Sequence, residues 1–197
     1  GQVMFPTHHD IVPENLDACI TVIGNLLRAG NRVLIVSKPH RKCIVRLCSE
    51  FASEKRQLLY RFTITARNSD ILNFWEPFAP DYIERKSCLE YAYNRGFATS
   101  VSVEPMLDTN DVVHMVDELL PWVSHSIWLG KMNKIEKRVV CDSEEAKAEV
   151  ARIVMGQSDA KLLDLYETLS GNPKIFWKES VKKVVGLPLA QEIGLDM

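Results

Sequence analysis

Short apolar runs and amphipathic stretches alternate from Gln2 to Asn133, and no two runs lie close enough in the chain to form a hairpin. The runs are Gln2 to Phe5, Arg32 to Val36 (RVLIV), the first half of Tyr60 to Pro77, Phe97 to Val103 and Ile127 to Leu129. Helical periodicity fills the gaps. Leu16, Ile20, Ile23 and Leu27 follow Pro13-Glu14, and Ile44, Leu47 and Phe51 mark a helix from roughly Arg41 to Ser53. Asp81 caps a third, with Leu89, Ala92 and the adjacent Tyr93 on its expected inner side, and Asp111 opens a fourth through Val112, Met115, Val116 and Leu119. Gly30 and Gly96 close two of them as C′ glycines.

Strands that must be joined by helices run parallel, and their crossovers are right-handed. The predicted class is therefore α/β with a parallel sheet. Neither GxGxxG nor GxxxxGK[ST] follows any strand, which favours a barrel over a nucleotide-binding doubly wound sheet. Fewer than eight βα units fit into 197 residues, so the expected fold is a partial, truncated parallel β/α barrel. Beyond Val140 the alternation stops. Ser143 to Met155 and Lys161 to Leu169 read as helices, Gly171-Asn172-Pro173 as a turn, and Lys174 to Val185 as a short basic helix or extension. Residues 1–140 are thus expected to form the barrel portion and 141–197 a helical appendage, packed outside it or across one end.

Composition narrows the function classes. The chain is 46% hydrophobic and 25% charged with a formal net charge of −2, so no global basic field draws it to nucleic acid or to anionic membranes. No apolar run approaches the roughly 18 residues of a membrane span, and no signal-peptide core is present at the start. The five cysteines, Cys19, Cys43, Cys48, Cys88 and Cys141, are odd in number and fall mostly in helical or strand-like segments. That pattern predicts reduced thiols in a cytoplasmic protein. Cys43 and Cys48 do not form a CxxC pair, and a metal site there is not expected. The opening GQVMFPTHHD begins inside a strand without an initiator Met, which predicts a fragment.

In parallel α/β folds, ligands gather beyond the carboxyl ends of the strands. Here those ends carry Thr7, His8 and His9; Ser37 and Lys38; Thr65, Arg67 and Asn68; Ser102 and Glu104; Lys131 and Asn133. In the stretch YRFTITARNSDILNFWEP, Phe62 and Ile64 point one way and Thr63, Thr65 and Arg67 the other, and a long loop then carries Asn68, Phe74, Trp75 and Glu76. The same-face sets Thr63, Thr65, Arg67 and Ser100, Ser102, Glu104 are polar where a packed barrel interior would be aliphatic. They predict a lined cavity, or else faces turned toward solvated helices. Lys38 suits a carboxylate or phosphate, and equally a surface position. Glu104 needs a partner, either a ligand or a cation such as Arg67 or Lys131. His8 and His9 are adjacent on an extended segment and point to opposite faces, so they are not a metal pair. The segment KIFWKESVKK mixes lysines with Phe176 and Trp177, a composition compatible with nucleic acid and with an amphipathic helix over a core.

The succession VLIVSKPH, YRFTIT, NFWEP, a helix ending in NRGF, SVEPMLD and SIWLGKMN resembles the radical SAM superfamily, and more narrowly its branch of spore photoproduct lyase and DNA repair photolyase-like proteins. The resemblance covers roughly Val3 to Asn133. It implies a partial six-unit barrel that cleaves S-adenosylmethionine reductively at a four-iron–four-sulfur cluster and generates a 5′-deoxyadenosyl radical. The cluster loop of that superfamily, C-x-x-x-C-x-x-C, is absent from this sequence, so the resemblance implies that the cluster-bearing units precede Gly1 and that the chain alone is inactive. By position, Lys38 and Thr63 or Thr65 resemble contacts to the methionine part of the cofactor, although Thr stands where the lyase is expected to have Ser. Ser102 and Glu104 would lie near cofactor or substrate, and Arg67, Trp75 and Glu76 are expected as rim or substrate contacts. No residue supports a thymine-dimer substrate.

Two other classes stay open: a barrel hydrolase with Glu76 and Glu104 as paired carboxylates, and a non-catalytic binding or assembly domain. Exposed sheet edges or cavity walls would favour a homo-oligomer.

Overall fold

The computed structural model describes residues 1–191, and its centre is a six-stranded, all-parallel sheet. The strands are β1 (Gln2–Phe5), β2 (Arg32–Ser37), β3 (Leu58–Thr63), β4 (Ala98–Val103), β5 (Ser126–Leu129) and β6 (Ile175–Trp177). Their order across the sheet is the order of the chain. Right-handed crossovers that always step in the same direction place every helix on one face of a sheet, whereas a doubly wound sheet must reverse direction at a switch point. The expectation of an α/β protein with a parallel sheet is met.

Five connections carry the helices. α1 (Leu16–Arg28) joins β1 to β2, and α2 (Arg41–Glu50) joins β2 to β3. α3 (Ser69–Trp75) and α4 (Tyr82–Asn94) lie between β3 and β4, and α5 (Val112–Leu119) lies before β5. α6 (Ile135–Arg138), α7 (Glu144–Gly156) and α8 (Asp159–Leu169) precede β6, and α9 (Glu179–Val185) follows it. The core lies between these helices and alternate strand residues: Val33 and Ile35, Leu58, Tyr60 and Phe62, Val101 and Val103, Ile127 and Leu129, Ile175 and Trp177. Leu34 and Trp128, on the opposite face, are buried but lie outside that core.

Local chemistry explains the boundaries. Gly30 and Gly96 follow α1 and α4 with φ of 78° and 79°, a left-handed conformation open to glycine at no steric cost. The Asp81 side chain accepts from the Glu84 N–H as the expected N-cap of α4. Three sequence expectations need correction. The stretch after Thr65 is not one long loop. Asn68 accepts hydrogen bonds from the N–H groups of Asp70 and Ile71 and starts α3, a helix too short to show a period. Tyr93 is 39% exposed rather than inward, because α4 buries the stripe Arg85, Leu89 and Ala92 instead. Lys174 to Val185 is not a single helix: Ile175–Trp177 pairs with Ile127–Leu129 as the sixth strand.

The tail also packs across one end of the sheet. Arg152 on α7 donates to the Leu107 carbonyl at 2.8 Å. The Gln157 amide donates to the Met106 carbonyl at 2.7 Å and accepts from the Met132 N–H at 2.8 Å. α7 therefore clamps the loops that leave β4 and β5. Among the described residues, no helix is long and apolar enough to cross a membrane.

Candidate functional site

The face of the sheet away from the core is polar in rows. Register aligns Val36, Arg61, Ser100 and Ser126 in one row, and Thr63, Ser102, Trp128 and Phe176 in the next. In the first row Arg61 donates from Nε to Ser100 Oγ at 3.1 Å, and its guanidinium lies 5.1 Å from the centre of the Trp128 ring. Burial lowers the Arg61 pKa to about 10. The Ser100 hydroxyl donates to the Ser126 carbonyl at 2.7 Å, and Ser126 Oγ accepts from Trp128 Nε1 at 3.0 Å. The hydroxyls of Thr63 and Ser102, one row nearer the carboxyl ends, have no hydrogen-bond partner among the described residues. Of the polar sets expected from the sequence, this face carries Thr63, Ser100 and Ser102, whereas Thr65 is buried against Glu76 and Arg67 turns to Asp111 and Glu118.

At the carboxyl ends of β2 and β3 the charged groups converge. The Lys38 N–H and the Ser37 hydroxyl both donate to Asp10 Oδ1, at 2.7 and 3.2 Å, and Lys38 Nζ donates to Asp10 Oδ2 at 3.3 Å. On its other side Lys38 Nζ is 3.9 Å from Glu76 Oε1. That separation is an ion pair rather than a hydrogen bond, so two of the three ammonium donors of Lys38 stay uncommitted. Glu76 is fixed from beneath. Arg85, fully buried on α4, pairs with its Oε2 at 2.6 Å, and the Thr65 hydroxyl donates to the same oxygen at 3.2 Å. Arg85 in turn donates to the Pro80 carbonyl at 2.7 Å, which ties the guanidinium to the loop before its own helix. A cleft of about 440 Å³ opens over this group, lined by His9, Asp10, Lys38, His40, Trp75 and Glu76.

The remaining expected residues distribute around it. Thr65 is buried behind Glu76 and acts as its positioner. Trp75 lines the cleft and donates from Nε1 to Glu149 on α7 at 2.9 Å. A hydrogen bond from Arg152 holds the Glu149 carboxyl below the usual carboxylate range. Arg67 is drawn the other way, to Asp111 at 3.1 Å and Glu118 at 3.0 Å, where it bridges the end of β3 to α5. Glu104 sits at the far end of the strand-end row. Its partner is neither Arg67 nor Lys131 but Lys178, just past β6, at 3.2 Å. A Cβ at position 130 would stand 2.9 Å from Glu104 Cγ, so Gly130 is what lets this side chain lie across the end of β5.

Asp10 and Arg85 escaped the sequence reading. Asp10 directly follows His8 and His9, and no spacing in the sequence marks it. Arg85 had a visible signal, since it lies four and seven residues before Leu89 and Ala92 on the buried stripe, and an arginine on such a stripe requires a partner. Among the described residues no group of three His, Cys, Asp or Glu side chains is placed to hold a metal ion, and the five thiols are all unpaired. Burial pushes the Cys43 and Cys48 thiols up to about 11, away from metal-binding thiolates.

No protein-family model matches the chain, and neither curated proteins nor solved structures yield a significant match.

Proposed function

We propose that the Asp10–Lys38–Glu76 cleft binds the amino-acid end of S-adenosylmethionine, and that the chain is the cofactor-holding part of a radical SAM enzyme on a partial β/α barrel. The observation that carries this is Lys38: an ammonium with spare donors, set between two carboxylates in a strand-end cleft. A zwitterionic α-amino acid presents the complementary pair. Its carboxylate meets Lys38, and its ammonium meets Asp10 or Glu76. The uniform direction of the crossovers suits a barrel whose interior holds a ligand. When bound in such enzymes with its cluster, the cofactor supplies the radical chemistry. This chain's residues bind and orient it, and its sequence carries no C-x-x-x-C-x-x-C cluster motif.

The hydrolase alternative loses support from the pairing. Glu76 is committed to Arg85 and Thr65, and Glu104 to Lys178, so each carboxylate is anchored by its own cation.

Isothermal titration calorimetry with S-adenosylmethionine is the test. Saturable binding is expected, with an affinity loss of about tenfold or more in Lys38→Ala, the cost of one charge-assisted contact. Absence of heat with the unaltered chain, or equal binding by Lys38→Ala, sinks the cofactor reading. Reductive cleavage by a cluster-reconstituted full-length protein tests the radical step separately.

A further inference from the structure

A second cleft, of about 640 Å³, opens beyond the carboxyl ends of β5 and β6 and shares no lining residue with the first. Its wall carries five cations against two carboxylates: Lys131, Lys134, Arg138, Lys178 and Lys183, with Glu104 and Glu179. Two of the cations are neutralised in place. Lys178 pairs with Glu104, and Lys183 pairs with Glu179 one helical turn away. Lys131, Lys134 and Arg138 have no carboxylate partner among the described residues. Three uncompensated positive charges therefore share one concavity in a chain whose net charge is −2. Like charges closer than about a Debye length, roughly 8–10 Å at ordinary salt, repel unless an anion joins them.

The framework around these cations is built rather than frayed. The Lys131 N–H donates to Ser180 Oγ at 3.0 Å, which joins the loop after β5 to α9. The next residue, Met132, is held by Gln157, just past the end of α7. Lys178 also lies 5.4 Å from the centre of the Trp128 ring, so the floor of the cleft meets the polar face of the sheet.

We propose that this cleft binds the phosphate group of a phosphate-bearing ligand. A single carboxylate would leave two of the three charges unbalanced. A phosphate carries close to two negative charges at neutral pH and offers three strong acceptor oxygens. Arg138 supplies a planar fork and the two lysines supply point charges, the combination that phosphate recognition employs. The location, beyond the carboxyl ends of two parallel strands, is where ligands of such sheets collect.

Inorganic pyrophosphate is the first probe, titrated calorimetrically into the chain at low and raised salt. Saturable binding that weakens with salt is expected. Lys131→Ala/Arg138→Gln is expected to lose about tenfold or more in affinity while melting at the same or a higher temperature without ligand, because the repulsion is relieved. Lys38→Ala is expected to bind pyrophosphate normally, so failure here is distinguishable from failure of the cofactor reading. Inorganic phosphate compared with glycerol 1-phosphate then sorts a free oxyanion from an ester, and either preference supports the site. No binding by the unaltered chain, or undiminished binding by the double variant, overturns it.

Discussion

Arg85 shows how much a single buried charge organises here. It is fully buried, yet it holds the carboxylate of Glu76, a carbonyl of the preceding loop and, more weakly at 3.4 Å, the Thr63 carbonyl at the end of β3. Removing one partner of such a pair leaves the other charge buried and uncompensated, at a cost of about 3–5 kcal/mol. Arg85→Met is therefore expected to lower unfolding free energy in urea by that amount, and Glu76→Gln combined with it to cost less than the sum of the two single changes. A loss below about 0.5 kcal/mol, as for an ordinary surface arginine, would mean that the pair anchors nothing.

Elements divide by how much period they expose. β3 was legible because Leu58, Tyr60 and Phe62 are buried on one face while Leu59, Arg61 and Thr63 are half-buried on the other, and that alternation survives in the bare sequence. Helices α1 and α5 were legible from their apolar stripes, and α4 from its cap and closing glycine. What was not legible is what three-dimensional pairing alone decides. β6 is three residues long, IFW, too short for any period to separate strand from helix, and it joins the sheet only because Leu129 and its neighbours offer a free edge. The charged cleft was half visible. Lys38 and Thr65 could be named from strand ends and Glu76 from the stretch after β3, but Asp10 and Arg85 reach them from other connections. For β6, Trp177 is the anchor: it is buried and packs on Tyr166 with ring centroids 5.3 Å apart. Trp177→Ala is expected to cost about 3–5 kcal/mol in chemical unfolding, the range for an aromatic cavity, against less than about 1 kcal/mol if β6 were a loosely attached strip.

At the scale of the whole molecule, the sheet has one face sealed by helices and one lined by hydroxyls, arginine and indole. The two clefts stand at opposite ends of the strand-end row, the first over β2 and β3 and the second over β5 and β6. The Glu104–Lys178 pair links the loop after β4 to the residue after β6, so the second cleft exists only once the tail has docked. Pulsed hydrogen exchange during refolding is expected to show protection of the Phe62 and Val101 amides before that of Lys178, whose N–H bonds the Leu129 carbonyl. Simultaneous protection would contradict that order.

Because the spatial order of the strands is their order in the chain, the sheet can grow at a single edge, each strand pairing with one already laid down. A ribosome delivering the chain from its amino end thus hands over strands in the sequence in which they are needed, with no strand waiting for a later neighbour to be slotted between it and its partner. The one long wait is from Leu129 to Ile175. Lengthening a loop is cheap, about 0.6 kcal/mol for each doubling, so the delay is one of timing more than of stability. During it the edge of β5 is bare, and that interval, rather than the finished fold, is when this protein is most open to pairing with a strand from another chain.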